Sequence, residues 1–170
     1  MYTMVGVGWD CSRKYRPQII MDPHYYNVDI AWSKDRKGMM CSPEIGNGSL
    51  SSGCIEIATP PEFPKGIPGI WSPEHLFTAS ISSCLMTTFL AIAENSKLQF
   101  VSFQCSSKGK LEQVDGKFMM TEVILEPLVI VPEEKDIERG LKVLQKAEVN
   151  CLISNSVKAA IVMKPVVRLA

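Results

Sequence analysis

The residues most able to do chemistry in this chain are two cysteines in unlike settings. Cys84 stands in the middle of "SPEHLFTASISSCLMTTFLAIAE" (72–94), a mostly apolar run that opens on the carboxylate Glu74, and Cys151 follows "LQKAEVN". A pair of thiols can carry redox chemistry if one reacts and the other resolves the product. Other chemistries find less support. Zinc needs ligands at workable spacing, and the chain has no CxxC and no HxxxH, so no metal site is expected. A cysteine hydrolase needs a Cys–His pair in hydrogen-bond reach. His75 lies nine residues before Cys84. On one helix that is about 180° round and about 13 Å along the axis, too far to pair. His24 lies on an irregular stretch, and GxxxxGK[ST] is absent, so neither a thiol hydrolase nor a phosphate-cradling loop is expected. On spacing alone either cysteine can still be core filler, since cysteine is among the most buried residue types.

The whole composition narrows the class further. At 170 residues the chain is read as one domain with a core of its own, preceded by an arm at 1–23 without clear periodicity. Eighteen basic and eighteen acidic side chains cancel, which argues against a nucleic-acid or membrane-surface binder. No run is read as the roughly 20 apolar residues of a membrane span. The start lacks a basic segment followed by an apolar one, so no secretion signal is expected. A cytoplasmic, reducing setting follows as an expectation. The six cysteines (11, 41, 54, 84, 105 and 151) are then expected as thiols, with Cys11, Cys41, Cys54 and Cys105 structural or incidental.

The elements that must hold the two cysteines can be read in order. "YYNVDIAW" (25–32), "MMCS" and "CIEIATP" read as strands of an antiparallel meander, with turns at "SKDRKG" and "EIGNGSLSSG". "PPEFPKGIPG" carries four prolines and two glycines in ten residues and must be a rigid connecting loop. Ser72 is a good N-cap, Pro73 suits the first helical position and Glu74 favours the positive helix end, so a central helix begins there. "LQFVSFQCSSKGKL" and "KFMMTEVILEPLVIVP" (117–132) form a hairpin, turning at Asp115-Gly116. "PEEKDIERGLKVLQKAEVN" places Ile137, Leu141, Leu144 and Glu148 at helical spacing, and a final strand falls near "VKAAIVMKPVVRL". The class is α+β, with helices lying on antiparallel sheet.

With these elements in place, "WSPEHLFTASISSCLMTTFL" followed 67 positions after its cysteine by "AEVNCLISNSV" resembles the OsmC/Ohr family, the osmotically inducible and organic hydroperoxide resistance proteins. The resemblance runs from about Tyr25 to Val167, in a single domain spanning 24–170. It implies an α+β fold in which two chains intertwine, with active sites near the dimer interface. It also implies a cysteine peroxidase for organic hydroperoxides, without a cofactor and recycled by an external dithiol. Cys84 matches the peroxidatic cysteine, Cys151 the resolving one and Glu74 the family's acid. The family's arginine finds its match in Arg36 of "SKDRKGMM". The turn around that arginine is Gly-Arg-Asp-Gly in better-known peroxidase members, and those carry Pro-Tyr where this chain has Leu152-Ile153.

Under that reading Cys84 must ionise, because only the thiolate attacks the O–O bond. Burial mid-helix is expected to raise its pKa, so a cation is called for. Arg36 is the expected source, held by Glu74 in a bidentate pair. On a straight helix, however, Glu74 and Cys84 are about 15 Å apart along the axis and about 80° apart around it. Either the helix breaks near "TASISS" or Glu74 acts only through the arginine. The alternatives are a non-catalytic protein of the same fold binding a small apolar ligand, and a protein in which the cysteine pair senses redox state. A helix apolar almost all round from Leu76 to Ile92 also calls for a second chain, so a homodimer is expected, with the Pro60–Gly69 loop reaching across.

Overall fold

The computed structural model describes residues 22–45 and 53–170. The expected arm, but for its last two residues, lies outside these, as does Cys11. Three short strands, β1 (Asp29–Lys34), β2 (Lys37–Cys41) and β3 (Cys54–Ala58), form an antiparallel meander. The turn between β1 and β2 is Asp35–Arg36, with Asp35 at φ 51. The first strand therefore begins four residues later than its alternating pattern suggests, and residues 22–28 are irregular.

The expectation of thiols throughout is corrected here. Cys41 and Cys54 face each other in the β2–β3 register with Cα atoms 4.1 Å apart, and they are joined as a disulfide. Direct opposition across antiparallel strands brought them within bonding distance, a relation that sequence spacing does not display.

The second sheet is built on the long hairpin of β4 (Ser102–Val114) and β5 (Lys117–Val131). Its turn is Asp115-Gly116 as expected, both residues at positive φ. The last strand is two: β6 (Ala160–Met163) pairs in parallel with Glu122–Leu125, and β7 (Val166–Leu169) with Leu128–Val131. Pro127 explains the split. It has no N–H to give a ladder, and it falls in the gap between the two pairings, opposite the interruption at Lys164-Pro165.

Helix α1 (Pro73–Ser96) runs unbroken for 24 residues. Ser72 caps it, its Oγ accepting from the His75 N–H at 3.3 Å, and Lys97 ends it in the left-handed conformation. By length and composition α1 is apolar enough to cross a membrane, contrary to the reading of the sequence. Its Ile81, Leu85, Phe89 and Ala93 are nevertheless buried in the protein core. They pack with Val123, Leu125, Val129 and Val131, the alternate residues on one face of β5.

Helix α2 (Ile137–Asn150) completes this core with Val143, Leu144 and Ala147. The expected face of Ile137, Leu141, Leu144 and Glu148 is at least half-buried, and full burial extends from Leu144 to Gly140, Val143 and Ala147, with Gly140 set close against the Val167 side chain of β7.

Candidate functional site

Cys84 lies on the fourth turn of α1, 9% exposed, on the same face as Ile81 and Leu85. Cys151 is the residue at which α2 stops: its N–H still bonds the Glu148 carbonyl at 3.2 Å, but its own backbone is extended. The chain then folds into a short turn at Ser154–Ser156, closed by the Asn155 N–H on the Cys151 carbonyl at 3.0 Å. This turn brings Cys151, Leu152 and Ile153 over the middle of α1. Cys151 is fully buried, with Sγ 4.0 Å from the Ile81 carbonyl and accepting from Ser154 Oγ at 3.1 Å.

The two thiols have been pushed in opposite directions. Burial acts to raise Cys84, but the Ile153 N–H, the Cys151 thiol, the Thr88 hydroxyl and the Leu152 N–H all favour its thiolate, and together they bring its pKa below the ordinary thiol value. Cys151 is raised, chiefly by burial, with the developing charge on Cys84 adding to the effect and Ser154 opposing it. The expectation that burial leaves Cys84 raised unless a cation intervenes is therefore corrected: hydrogen bonds alone reverse the shift. One thiol of the pair is set up to ionise and the other to remain protonated beside it.

Cys84 opens into a cavity of about 380 Å³ walled by Tyr26, Ser80, Ser83, Thr87, Leu152 and Ile153. Arg36 and Glu74 lie elsewhere. They line a cavity of about 570 Å³ with Trp32, Ile57, Pro60 and Phe63. Glu74 also reaches an adjoining cavity of about 590 Å³ that includes His75 and Cys105. Among the described residues no ion pair joins Arg36 to Glu74. Glu74 Oε2 is buried with no hydrogen-bond partner.

The unbroken helix removes one of the two ways in which Glu74 was expected to meet Cys84. Within one chain, then, Cys84 meets Cys151, while Arg36 and Glu74 share a second cavity. Neither histidine enters the thiol site: His75 turns its Nδ1 to Ser72 Oγ at 2.8 Å and packs on Trp71.

Sequence reasoning missed the donors. Thr88 was open to detection, standing four residues after Cys84 on the same helix face. So was Ser154, three residues after Cys151. The N–H groups of Leu152 and Ile153 were not, because they reach Cys84 through a tertiary turn.

A family model described as OsmC-like protein matches residues 66–165, which span both helices, the long hairpin and both cysteines. The chain belongs to the OsmC-like family. It is 24% identical over 144 residues to the uncharacterized protein YmaD of Bacillus subtilis, an alignment covering 81% of this chain and 89% of that one. Its fold is similar to that of an OsmC-like protein of unknown function from Vibrio cholerae. That match has a TM-score of 0.73 and 22% identity, and covers 85% of this chain and all of the other. It is also similar to an organic hydroperoxide resistance protein from Elizabethkingia anophelis, at TM-score 0.65 and 24% identity, covering 88% of this chain and 100% of that one. The α+β architecture is thus that of OsmC-like proteins, and its thiol pair sits inside the matched segment.

Proposed function

We propose that this OsmC-like protein is a thiol peroxidase that reduces organic hydroperoxides to alcohols. The observation that carries the reading is the opposed tuning of two adjacent thiols, Cys84 lowered and opening into a cavity walled by Tyr26, Leu152 and Ile153 together with Ser80, Ser83 and Thr87, and Cys151 raised and fully buried beside it. The Cys84 thiolate attacks the outer oxygen of the hydroperoxide. The O–O bond breaks, the alkoxide takes a proton and leaves as alcohol, and Cys84 becomes a sulfenic acid. Cys151 then attacks that sulfur, water leaves, and a Cys84–Cys151 disulfide forms. An external dithiol restores both thiols by exchange. No cofactor enters this cycle.

Arg36 is assigned the role of presenting donors to the peroxide and Glu74 that of orienting the guanidinium through its unpartnered Oε2. Since both lie in a different cavity from Cys84 of the same chain, the complete site takes them from a second copy. The working form is accordingly a homodimer. Cys84→Ser should abolish consumption of an organic hydroperoxide in the presence of a dithiol while leaving the circular dichroism spectrum unchanged. Activity retained in that variant overturns the peroxidase reading.

A second reading, binding of a small apolar ligand without turnover, draws on the 590 Å³ cavity, which excludes Cys84. Absence of peroxide consumption by the intact protein, together with saturable uptake of an apolar fluorophore, decides for it.

A further inference from the structure

We propose that the Cys41–Cys54 disulfide is a redox-sensitive strap that holds Tyr26 as a wall of the Cys84 cavity. This second redox couple rests on the proposed function only in taking Cys84 as the reactive thiol. Cys41 ends β2 and Cys54 begins β3, and both are partly exposed, within reach of a dithiol in solution. Just beyond them the backbone closes on itself. The Ser42 N–H bonds the Gly53 carbonyl at 3.3 Å, the Ile45 N–H bonds the Ser42 carbonyl at 3.2 Å, and the Glu44 N–H bonds Ser42 Oγ at 3.3 Å.

The turn so fixed presents Glu44, whose Oε1 accepts from both the backbone N–H and the side-chain Nδ2 of Asn27, at 3.1 and 2.6 Å. Asn27 adjoins Tyr26, and Tyr26 lines the Cys84 cavity with Leu152 and Ile153. Residues 22–28 belong to no strand or helix, so the grip of Glu44 on Asn27, together with the pairing of Asp29 with Cys41, sets where Tyr26 lies. The path from the disulfide to the reactive thiol is continuous and short: Cys41, the turn at Ser42–Ile45, Asn27, Tyr26, Cys84.

Reduction proceeds by exchange. A thiolate of an external dithiol attacks one sulfur of the bridge, its second thiol displaces the resulting mixed disulfide, and two electrons and two protons pass to Cys41 and Cys54 while the external dithiol leaves oxidised. An oxidised external disulfide reverses the step. Once the bridge is open, the turn carrying Glu44 is held only by the end of the β2–β3 ladder and by partly or fully exposed hydrogen bonds, which hold more weakly than a covalent tie. Tyr26 loosens and the mouth over Cys84 widens. Oxidation shapes the cavity for an apolar substrate, and reduction exposes the thiol to any small electrophile.

The test uses the full chain and reads carbamidomethylation of Cys84 by peptide mass at neutral pH, which does not depend on peroxide turnover. A non-reducing digest of air-oxidised protein should contain a Cys41–Cys54 linked peptide. Cys84 should react several-fold faster in Cys41→Ser/Cys54→Ser, in Glu44→Ala and in Tyr26→Ala than in the oxidised protein. Adding Tyr26→Ala to the double cysteine variant should bring no further acceleration. If the double variant does not fold, Glu44→Ala, which keeps the bridge, decides alone. A missing linked peptide, or unchanged Cys84 reactivity in the folded strap variants, overturns the proposal. A chain that consumes no peroxide but shows these accelerations removes the proposed function and leaves the strap standing.

Discussion

Cys84 illustrates how hydrogen bonds can outweigh burial at one atom. Desolvation disfavours its thiolate, yet four donors from α1, Cys151 and the following turn converge on it and win. Because its pKa is lowered, the thiolate is populated at a pH where an ordinary cysteine is still protonated. The rate of Cys84 alkylation should therefore rise with pH and level off below the midpoint of an exposed thiol. Thr88→Val and Cys151→Ala each delete one donor and should move that midpoint upward, with the larger shift for Cys151, the stronger of the two side-chain donors. A midpoint that stays put in both variants assigns the effect to the backbone N–H groups alone. In linkage terms, the contribution of this thiolate to stability is present above the pKa of the unfolded thiol and disappears as pH falls through the folded one. Cys151→Ser has a further consequence under the peroxidase reading: one equivalent of hydroperoxide should leave a sulfenic acid on Cys84 that dimedone traps. A disulfide to Cys105 in its place reassigns the resolving partner. At this scale the sequence picked out the two thiols that the fold brings together and misled about the ionisation of Cys84, since a helix position reports burial but not which tertiary N–H groups will face it.

The same division between local and non-local information recurs among the elements. The cap at Ser72, the proline at the first helical turn and the Asp115-Gly116 hairpin were legible because each is fixed by residues within a few positions of one another. The break between β6 and β7 was only half legible: Pro165 marks it locally, but Pro127, which faces it, lies on another strand. The buried face of α2, by contrast, follows the pattern of its own apolar residues, and only the close approach of Gly140 to Val167 was beyond that pattern. Helix α1 is the element on which the site depends, since it carries Cys84 and faces the Cys151 turn. Its hold on the sheet is Phe89, fully buried, with ring centroids 5.3 Å from Phe100 and 5.0 Å from Phe103. Phe89→Ala should cost about 3–5 kcal/mol of unfolding free energy in a urea titration. Ser72→Ala, which removes the cap and a partner of His75, should cost about 1 kcal/mol. A Phe89→Ala loss no larger than the cap's implies that α1 is held from its other side.

That other side is where the whole molecule is unfinished. The small sheet of β1–β3 leaves Ile30 66% and Trp32 77% exposed, and α1 leaves Met86 38% and Leu90 40% exposed. Apolar area of this kind, on an isolated three-stranded sheet and along a central helix, is what a closed two-fold association covers. The chemistry proposed above makes the same demand, because Arg36 and Glu74 open on a cavity that Cys84 of their own chain does not share. If a second copy supplies them, damage to the two halves of the site should be separable between chains. Cys84→Ser and Arg36→Ala should each be inactive as homodimers. Co-expressed in equal amounts, half of the dimers are mixed, and in each of these one of two sites draws an intact Cys84 from one chain and an intact Arg36 from the other. The mixture should recover about a quarter of the activity of the unmodified protein. Sites complete within one chain predict no recovery at all, since every chain in the mixture then lacks one essential group. Sedimentation of the unmodified protein as a folded monomer at micromolar concentration rejects the dimer itself, and with it any route by which Arg36 can act on Cys84.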